Sequence, residues 1–543
     1  MQATSSLKEA LSILSKSSPY AVSTLRKGEQ SQKQKDKNYL YVKSPIDSDF
    51  ENALANAKTG SLFFLCGSSG DGKSEILTKL CNDNRFSHIE FHLDATHSKT
   101  QHGSAVDCLN DLFDRHSEES FSVAVGINIG MMQKFIKLGA DRHGMIKELF
   151  RKFFNNRHVI GYSCDIATFF DFECYPRITF ENKEITSNFI SEFLRNLTRD
   201  ETNNPFWNAY LEDEKAGLKV AKNYKLLCDE SIQNSIIKEL GAIRLYDEQF
   251  LVPRTFVDFV YKLITVDNPD GLIGNLFDGL DNEISAKIIK HDPLLKRSKA
   301  LDDYLLAKTT NTLGEETIDC ASFLNSIAGF SLSSKGQIRL TCLLREKVQQ
   351  THPGSLFAQL IDVPEKGQYL ELLNIYSKKV IDENAEEKLI EILEENFLDA
   401  VFKYVNRSIN QELDGYILSR EVGDFYICSK IDIALNIDEI EKGILQAPEF
   451  LKVPFIVNDE VEIFVEIDIK LLTLTNRINM GFLPNRNLQN EFAKLDEFIR
   501  DLISAASKAE EIRVYDKKKP DVFYADVKQG RRGYTLKGAC RAD

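Results

Sequence analysis

The stretch that most restricts what this chain can fold into runs from Ser61 to Leu80, SLFFLCGSSGDGKSEILTKL. Ser61 to Cys66 form a mostly apolar run without helical spacing, bounded by Thr59-Gly60 before and Gly67 after, which predicts a buried strand of a parallel sheet. Gly67, Ser68, Ser69, Gly70, Asp71, Gly72, Lys73 and Ser74 then fit the pattern G-x-x-x-x-G-K-[ST]. Such a turn needs glycines because successive backbone N–H groups must point inward, where a Cβ would obstruct a phosphate. Lys73 supplies a positive charge for the β- and γ-phosphates, and the Ser74 hydroxyl is a ligand for Mg²⁺. The helix predicted over Ser74–Leu80, with Glu75 in its first turn, adds the partial positive charge of its N-terminus. Strand, glycine loop and helix occur in the order that binding ATP with Mg²⁺ requires.

At 543 residues the chain exceeds one ordinary core, and roughly three to four domains are expected. Hydrophobic residues make up 43% and charged residues 28%, enough apolar surface to build those cores. A formal net charge of -14 opposes a broad nonspecific grip on DNA, so any DNA contact must be local or come through a partner. The ten cysteines are scattered with no C-x-x-C pair, which argues against a zinc knuckle or a disulfide framework and fits a reducing cytoplasm. Met1–Tyr20 has no continuous apolar core and no later window holds about 18 uninterrupted apolar residues, so neither a signal peptide nor a membrane span is expected.

Four regions follow from the texture of the chain. Residues 1–44 read as a short N-terminal helix and a polar, lysine-rich arm, Leu25–Asn38, expected to be a solvated linker. Residues 45–184 alternate helix and strand: after the glycine loop come strands over His88–Asp94, Ser122–Asn128 and Val159–Asp165, with a further strand or hairpin in Phe169–Phe180. Residues 185–350 turn helical, with apolar spacings of three and four in Ile185–Leu197, Ala221–Leu227, Ile232–Leu240 and Thr255–Ile264, as a lid on an α/β nucleotide core would be. Residues 351–543 are helical, then rich in Val, Ile, Tyr and Phe with partial alternation, which predicts an α+β domain with a small antiparallel sheet. The fold class is therefore α/β: a P-loop NTPase core of AAA-like type with a parallel sheet, a helical lid and an α+β C-terminal domain.

Hydrolysis needs a carboxylate near the metal and a group that orients water. Counting the third strand as their carrier places Asn128 on the metal side, acting through water, and Ile129 where a catalytic glutamate would stand. Asn carries no charge and Ile cannot polarise water, so binding is better supported than turnover. Asp94, Asp165 and Asp171 are the acidic substitutes near other strand ends, Asp165 being preferred. Arg254, just after Pro253, is placed to point from a lid helix at the γ-phosphate, with Arg244 as a rival and Arg115 or Arg142 available across a subunit boundary if the chain forms an oligomer. His97 lies in a loop that follows a strand's C-terminal end. The tail from Asp516 onward interleaves Lys517, Lys518, Lys519, Lys528, Arg531, Arg532, Lys537 and Arg541 with Phe523, Tyr524 and Tyr534, a pattern suited to phosphate contact and base stacking and, as the commoner reading, to solvated turns and edge strands. No nuclease constellation is legible.

The segments LSKSSPYAVSTLRKGE (Leu14–Glu29), YLYVKSPIDSDFE (Tyr39–Glu51), FFLCGSSGDGKSEILTKL (Phe63–Leu80), FHLDATHS (Phe91–Ser98) and GINIGMMQKF (Gly126–Phe135) resemble the DptF family, also called DndF, over about the first quarter of the chain. The resemblance implies a component of a bacterial DNA phosphorothioation-dependent restriction system that works with DptG and DptH against DNA lacking a backbone sulfur. It carries a phosphate-binding role onto Gly67–Ser74 and no further catalytic residue. Within such a complex the expected role is an ATP-binding subunit whose nucleotide gates assembly or DNA engagement. The alternatives are a DNA-stimulated ATPase motor and a nucleotide-stabilised scaffold.

Overall fold

The computed structural model describes residues 6–19, 31–93, 104–248, 250–295, 298–360, 365–378, 380–409, 413, 415–440, 448–482, 489–506, 509, 511–530 and 533–537. Two compact units divide the chain, Met1–Thr179 with Ile185–Asp362 and Phe180–Glu184 with Val363–Asp543.

The first unit is built on a five-stranded sheet of order β2-β3-β1-β5-β4, made of β1 (Leu62–Cys66), β2 (Ile89–His92), β3 (Ser122–Ile127), β4 (Tyr162–Cys164) and β5 (Ala167–Asp171). β2, β3, β1 and β5 run parallel, with Cys66 in register with Ile127 on one side and Asp171 on the other. β1 and β3 are buried along their whole length, as their unbroken apolar runs require. Alternate residues feed two cores. Leu62, Phe64 and Cys66 pack with α5 (Ala105–Glu119), α6 (Ile129–Leu138) and α7 (Gly144–Asn155), while Phe63 and Leu65 pack with α3 (Pro45–Ala55) and α4 (Lys73–Cys81). Phe64 stacks on Phe169 at 4.9 Å and meets Phe150 edge-on at 5.1 Å. Each such ring adds about 0.5–1.5 kcal/mol beyond its area burial. Helices on both faces leave the C-terminal ends of the parallel strands as the open edge of the sheet.

Two expectations are corrected here. The predicted strand Val159–Asp165 is only the three-residue β4, and it runs antiparallel to β5. Asp165 adopts φ 51° in the reversal between them, a left-handed conformation that Asp tolerates better than most residues. The polar arm also holds a helix, α2 (Gln32–Tyr39), capped by the Ser31 side chain. It has no buried face of its own, which is why apolar periodicity does not reveal it.

The helical region begins after a hairpin of β6 (Thr179–Glu181) and β7 (Glu184–Thr186). It comprises α8 (Asn188–Thr198), α9 (Pro205–Lys215), α10 (Lys219–Leu227), α11 (Glu230–Asp247), α12 (Pro253–Thr265) and further helices through Leu356–Gln359. α12 starts at Pro253 and buries Phe256, Phe259, Val260, Leu263 and Ile264 at three and four spacing, as predicted. The N-terminal α1 (Leu7–Leu11) joins this region: the Leu7 N–H donates to Asp213 at 3.0 Å, and the Lys16 N–H to Asp258 at 2.7 Å. Among the described residues, no helix is long and apolar enough to cross a membrane.

The second unit carries two antiparallel sheets rather than one. β10 (Ile433–Leu435), β11 (Phe450–Val457) and β12 (Val461–Asp468) form the smaller. β8 (Tyr416–Val422), β9 (Phe425–Lys430), β13 (Glu511–Asp516), β14 (Lys519–Gly530) and β15 (Gly533–Lys537) form the larger, in the order β15-β14-β13-β9-β8. β12 shows the expected alternation, with Ile463, Val465 and Ile467 inward and Glu462, Phe464 and Glu466 exposed.

Candidate functional site

Gly67–Ser74 leave the end of β1 and enter α4 along the open edge of the sheet. Gly70 and Gly72 have φ of 92° and 106°, a region that side-chain-bearing residues rarely adopt. Space also matters: a Cβ on Gly67 would lie 2.7 Å from the Asp71 carboxylate and 2.9 Å from the Phe172 ring. Gly72 precedes α4 and offers no capping side chain to the first turn of the helix. The loop forms one wall of a cavity of about 360 Å³. Ile13, Leu14, Tyr41 and Val42 from the N-terminal segment, and Phe193, Arg254 and Val257 from the helical region, form others.

Charged groups of the loop bond to its own backbone. The buried Lys73 ammonium donates to the carbonyls of Gly67 at 3.0 Å and Ser68 at 2.6 Å. The Asp71 carboxylate accepts the Ser68 N–H at 2.5 Å, and burial pushes its pKa up. Glu75, on the first turn of α4, pairs with Lys37 of α2 at 2.7 Å, so the polar arm reaches the cavity wall. The Tyr41 hydroxyl donates to Asp47, and burial followed by the neighbouring Asp47 charge pushes its pKa far above the ordinary tyrosine range.

The structure separates the other sequence candidates. Ser74 donates its hydroxyl to the carbonyl of Leu93 at 3.4 Å, which brings the end of β2 to the motif serine. Asp94 is the next residue in the chain, and it lies outside the described residues together with His97. Asn128 lines the cavity, but its Oδ1 accepts the Met131 N–H at 2.6 Å as the N-cap of α6. Asp165 is not brought to the loop. It precedes β5 and therefore sits at the opposite edge of the sheet, exposed and paired with Lys152 at 2.9 Å. Asp171 ends β5 on the loop side, 3% exposed and held by the Arg157 guanidinium at 2.7–2.8 Å. Its burial pushes the carboxyl pKa up, with Arg157 opposing the shift.

Arg254 does reach the loop. Its Cβ would lie 3.2 Å from a Cβ built on Gly70, its Nη2 donates to the Lys16 carbonyl at 3.3 Å, and its Nε is buried without a hydrogen-bond partner among the described residues. Arg244 is instead buried with its guanidinium 3.6 Å from the centre of the Phe250 ring. Arg115 and Arg142 pair with Glu90 and Asp114. One cavity residue escaped the sequence reading altogether: Arg177, whose Nη2 donates to the Asp71 carbonyl at 2.7 Å. A single arginine in YPRITF follows no spacing rule, so no sequence signal marks it.

In the second unit several tail cations are already paired on their own sheet: Lys517 with Glu421 at 2.9 Å, Lys518 with Asp424 at 3.3 Å, and Lys528 with Glu511. Arg531 and Arg532 lie outside the described residues. Compared with protein-family models, curated proteins and solved structures, the chain matches none.

Proposed function

We propose that this chain is a nucleotide-binding protein of the P-loop class, AAA-like in adding a helical lid to a parallel-sheet core. The observation that carries this reading is the convergence on one cavity of the Gly67–Ser74 loop, the buried Lys73 and Arg254 from the first turn of α12. A triphosphate fits this donor set: loop N–H groups, Lys73 and the orphaned Nε of Arg254 are all cationic or electropositive. Ser74 would hold Mg²⁺, and the contact of its hydroxyl with Leu93 makes the adjoining Asp94, rather than Asp165, the carboxylate we assign to the metal. When bound, the metal neutralises phosphate charge. Asp94 is followed by Ala95 and Asn128 carries no charge, so these positions supply no second carboxylate to polarise water. That favours nucleotide-gated assembly over rapid turnover.

Within that class, we assign the chain to the role of DptF: the ATP-binding subunit of a DNA phosphorothioation-dependent restriction complex, working in the cytoplasm with DptG and DptH on DNA that lacks the sulfur. The five resembling segments support this, and four of them include cavity residues: Leu14 and Ser15; Tyr41, Val42 and Ser44; Gly70–Ile76; and Asn128. The intramolecular pairing of the tail lysines favours DNA engagement through the complex over a direct grip by the tail. The test is ATP binding and phosphate release by the purified chain, alone and with both partners and unmodified DNA, with Lys73→Ala as control. Binding lost in Lys73→Ala, with little release, is the expected result. DNA-stimulated release would make the protein a motor, and binding indifferent to Lys73→Ala would remove the nucleotide reading.

A further inference from the structure

The loop after β5 brings a cation into the cavity that the glycine motif does not announce. Beyond Asp171 the chain makes a 3-10 turn, Phe172–Cys174, and then presents Arg177. Its backbone is fixed: the carbonyl of Arg177 accepts the Ser187 hydroxyl at 2.5 Å, and the same hydroxyl oxygen caps α8 by accepting the Ile190 N–H at 3.2 Å. Its side chain is held between two rings, the guanidinium lying 5.2 Å from the centre of Phe172 and 5.6 Å from that of Phe189. The hydrogen bond given by this guanidinium goes to the Asp71 carbonyl, inside the glycine loop. No described carboxylate forms an ion pair with it; Asp71 turns its carboxylate to the Ser68 N–H, and Asp47 is engaged by Tyr41 and Ser44. Desolvation pushes the pKa of the half-buried Arg177 down, with the neighbouring Asp71 and Asp47 charges opposing the shift.

A guanidinium has a rigid fork of donors suited to phosphate oxygens, and this one lines the cavity half-buried, with no ion-pair partner among the described residues. We propose that Arg177 is a direct ligand of the bound polyphosphate, exchanging the Asp71 carbonyl for a phosphate oxygen and forming with Arg254 a two-arginine clamp across the glycine loop. This rests on the nucleotide reading above and deepens it. Arg254 comes from the lid helix α12, whereas Arg177 comes from the core side and is tied through Ser187 to the start of α8. The polyphosphate is thereby linked to both helices by separate cations, and occupancy is transmitted to the lid at two points.

The test uses the full chain as wild type, Arg177→Gln, Arg177→Lys and Lys73→Ala. Displacement of a fluorescent ATP analogue is read with Mg-ATP and with inorganic tripolyphosphate, which has the charge and lacks the base. Arg177→Gln should weaken both competitors roughly 10- to 100-fold, the range for losing a hydrogen-bonded charge contact. Arg177→Lys should fall between, keeping the charge without the fork. The melting temperature of Arg177→Gln without ligand should stay close to that of wild type, because no described ion pair is broken and the hydrogen bond lost is part-exposed. A purely structural arginine would instead lower that melting temperature and leave tripolyphosphate displacement at the wild-type value. Wild-type affinity in Arg177→Gln, with binding lost in Lys73→Ala, overturns the proposal alone. Wild-type affinity in Lys73→Ala overturns the nucleotide reading itself. Should Arg177→Gln fail to fold, Arg177→Lys decides, and undiminished affinity there refutes the clamp.

Discussion

Asp71→Asn should tighten the binding of Mg-ATP. The Asp71 carboxylate takes the Ser68 N–H at 2.5 Å, a loop donor of the kind a phosphate oxygen needs, so an entering phosphate competes with an anion of the loop's own. Two unit charges about 5 Å apart repel by roughly 3 kcal/mol at an effective dielectric near 20. Lys73 and Arg177 stand beside Asp71 and lower its pKa, opposing the effect of burial, so we take about half of that repulsion, ~1.4 kcal/mol, as effective; this corresponds to about tenfold in affinity. Asn keeps the shape and an oxygen acceptor for Ser68, so the loop itself should persist. Calorimetric titration at physiological ionic strength measures the change. Its pH dependence follows from the direction of the shift. A carboxyl raised above its unfolded value holds its proton in the folded protein where the unfolded chain has lost it. The charge therefore costs stability at neutral pH, and that cost disappears as pH falls through the raised value toward the ordinary aspartate range. The affinity advantage of Asp71→Asn should shrink over the same window. Equal or weaker binding by the Asn variant near neutral pH refutes the reasoning.

Gly126→Ala should cost about 2 kcal/mol or more, because a Cβ there would sit 2.6 Å from the Leu93 carbonyl oxygen and 2.9 Å from the Leu77 side chain in a fully buried strand; thermal melting followed by circular dichroism measures it. Arg157→Ala strips the counter-charge from buried Asp171 and should destabilise the fold by about 3 kcal/mol near neutral pH. The loss should lessen in acid, below the raised pKa of Asp171, since a protonated carboxyl needs no partner; urea titrations at several pH values test both statements. Asp165→Asn should leave ATP affinity unchanged and alter stability by less than ~1 kcal/mol, because it removes only an exposed pair with Lys152 at the far edge of the sheet. A binding defect in that variant would restore Asp165 to the site.

What the sequence determined by itself is local. The glycine loop is eight contiguous residues whose flanking strand and helix follow from an apolar run and a motif, and β1 and α4 stand where that reading placed them. The starting proline and apolar spacing of α12 likewise carried Arg254 to its place in the first turn of a helix. Tertiary structure decided the rest, because the order of strands in a sheet is not the order of strands in a chain. Counting by sequence made β3 the carrier of the metal group, whereas the contact of Ser74 with Leu93 puts the end of β2 beside the motif serine. Counting also made Asp165 a strand end, but a left-handed φ at that residue reverses the chain and gives the loop-side end of the next parallel strand to Asp171. α2 lacks an apolar face, and its Lys37 pairs with Glu75, 38 residues further along. Arg177 acquires meaning only from Asp71, 106 residues before it, and from the rings of Phe172 and Phe189 beside it. Local spacing encodes which backbone conformation a segment adopts; the pairing of charges across the cavity depends on long-range packing, which leaves no periodic trace in the chain.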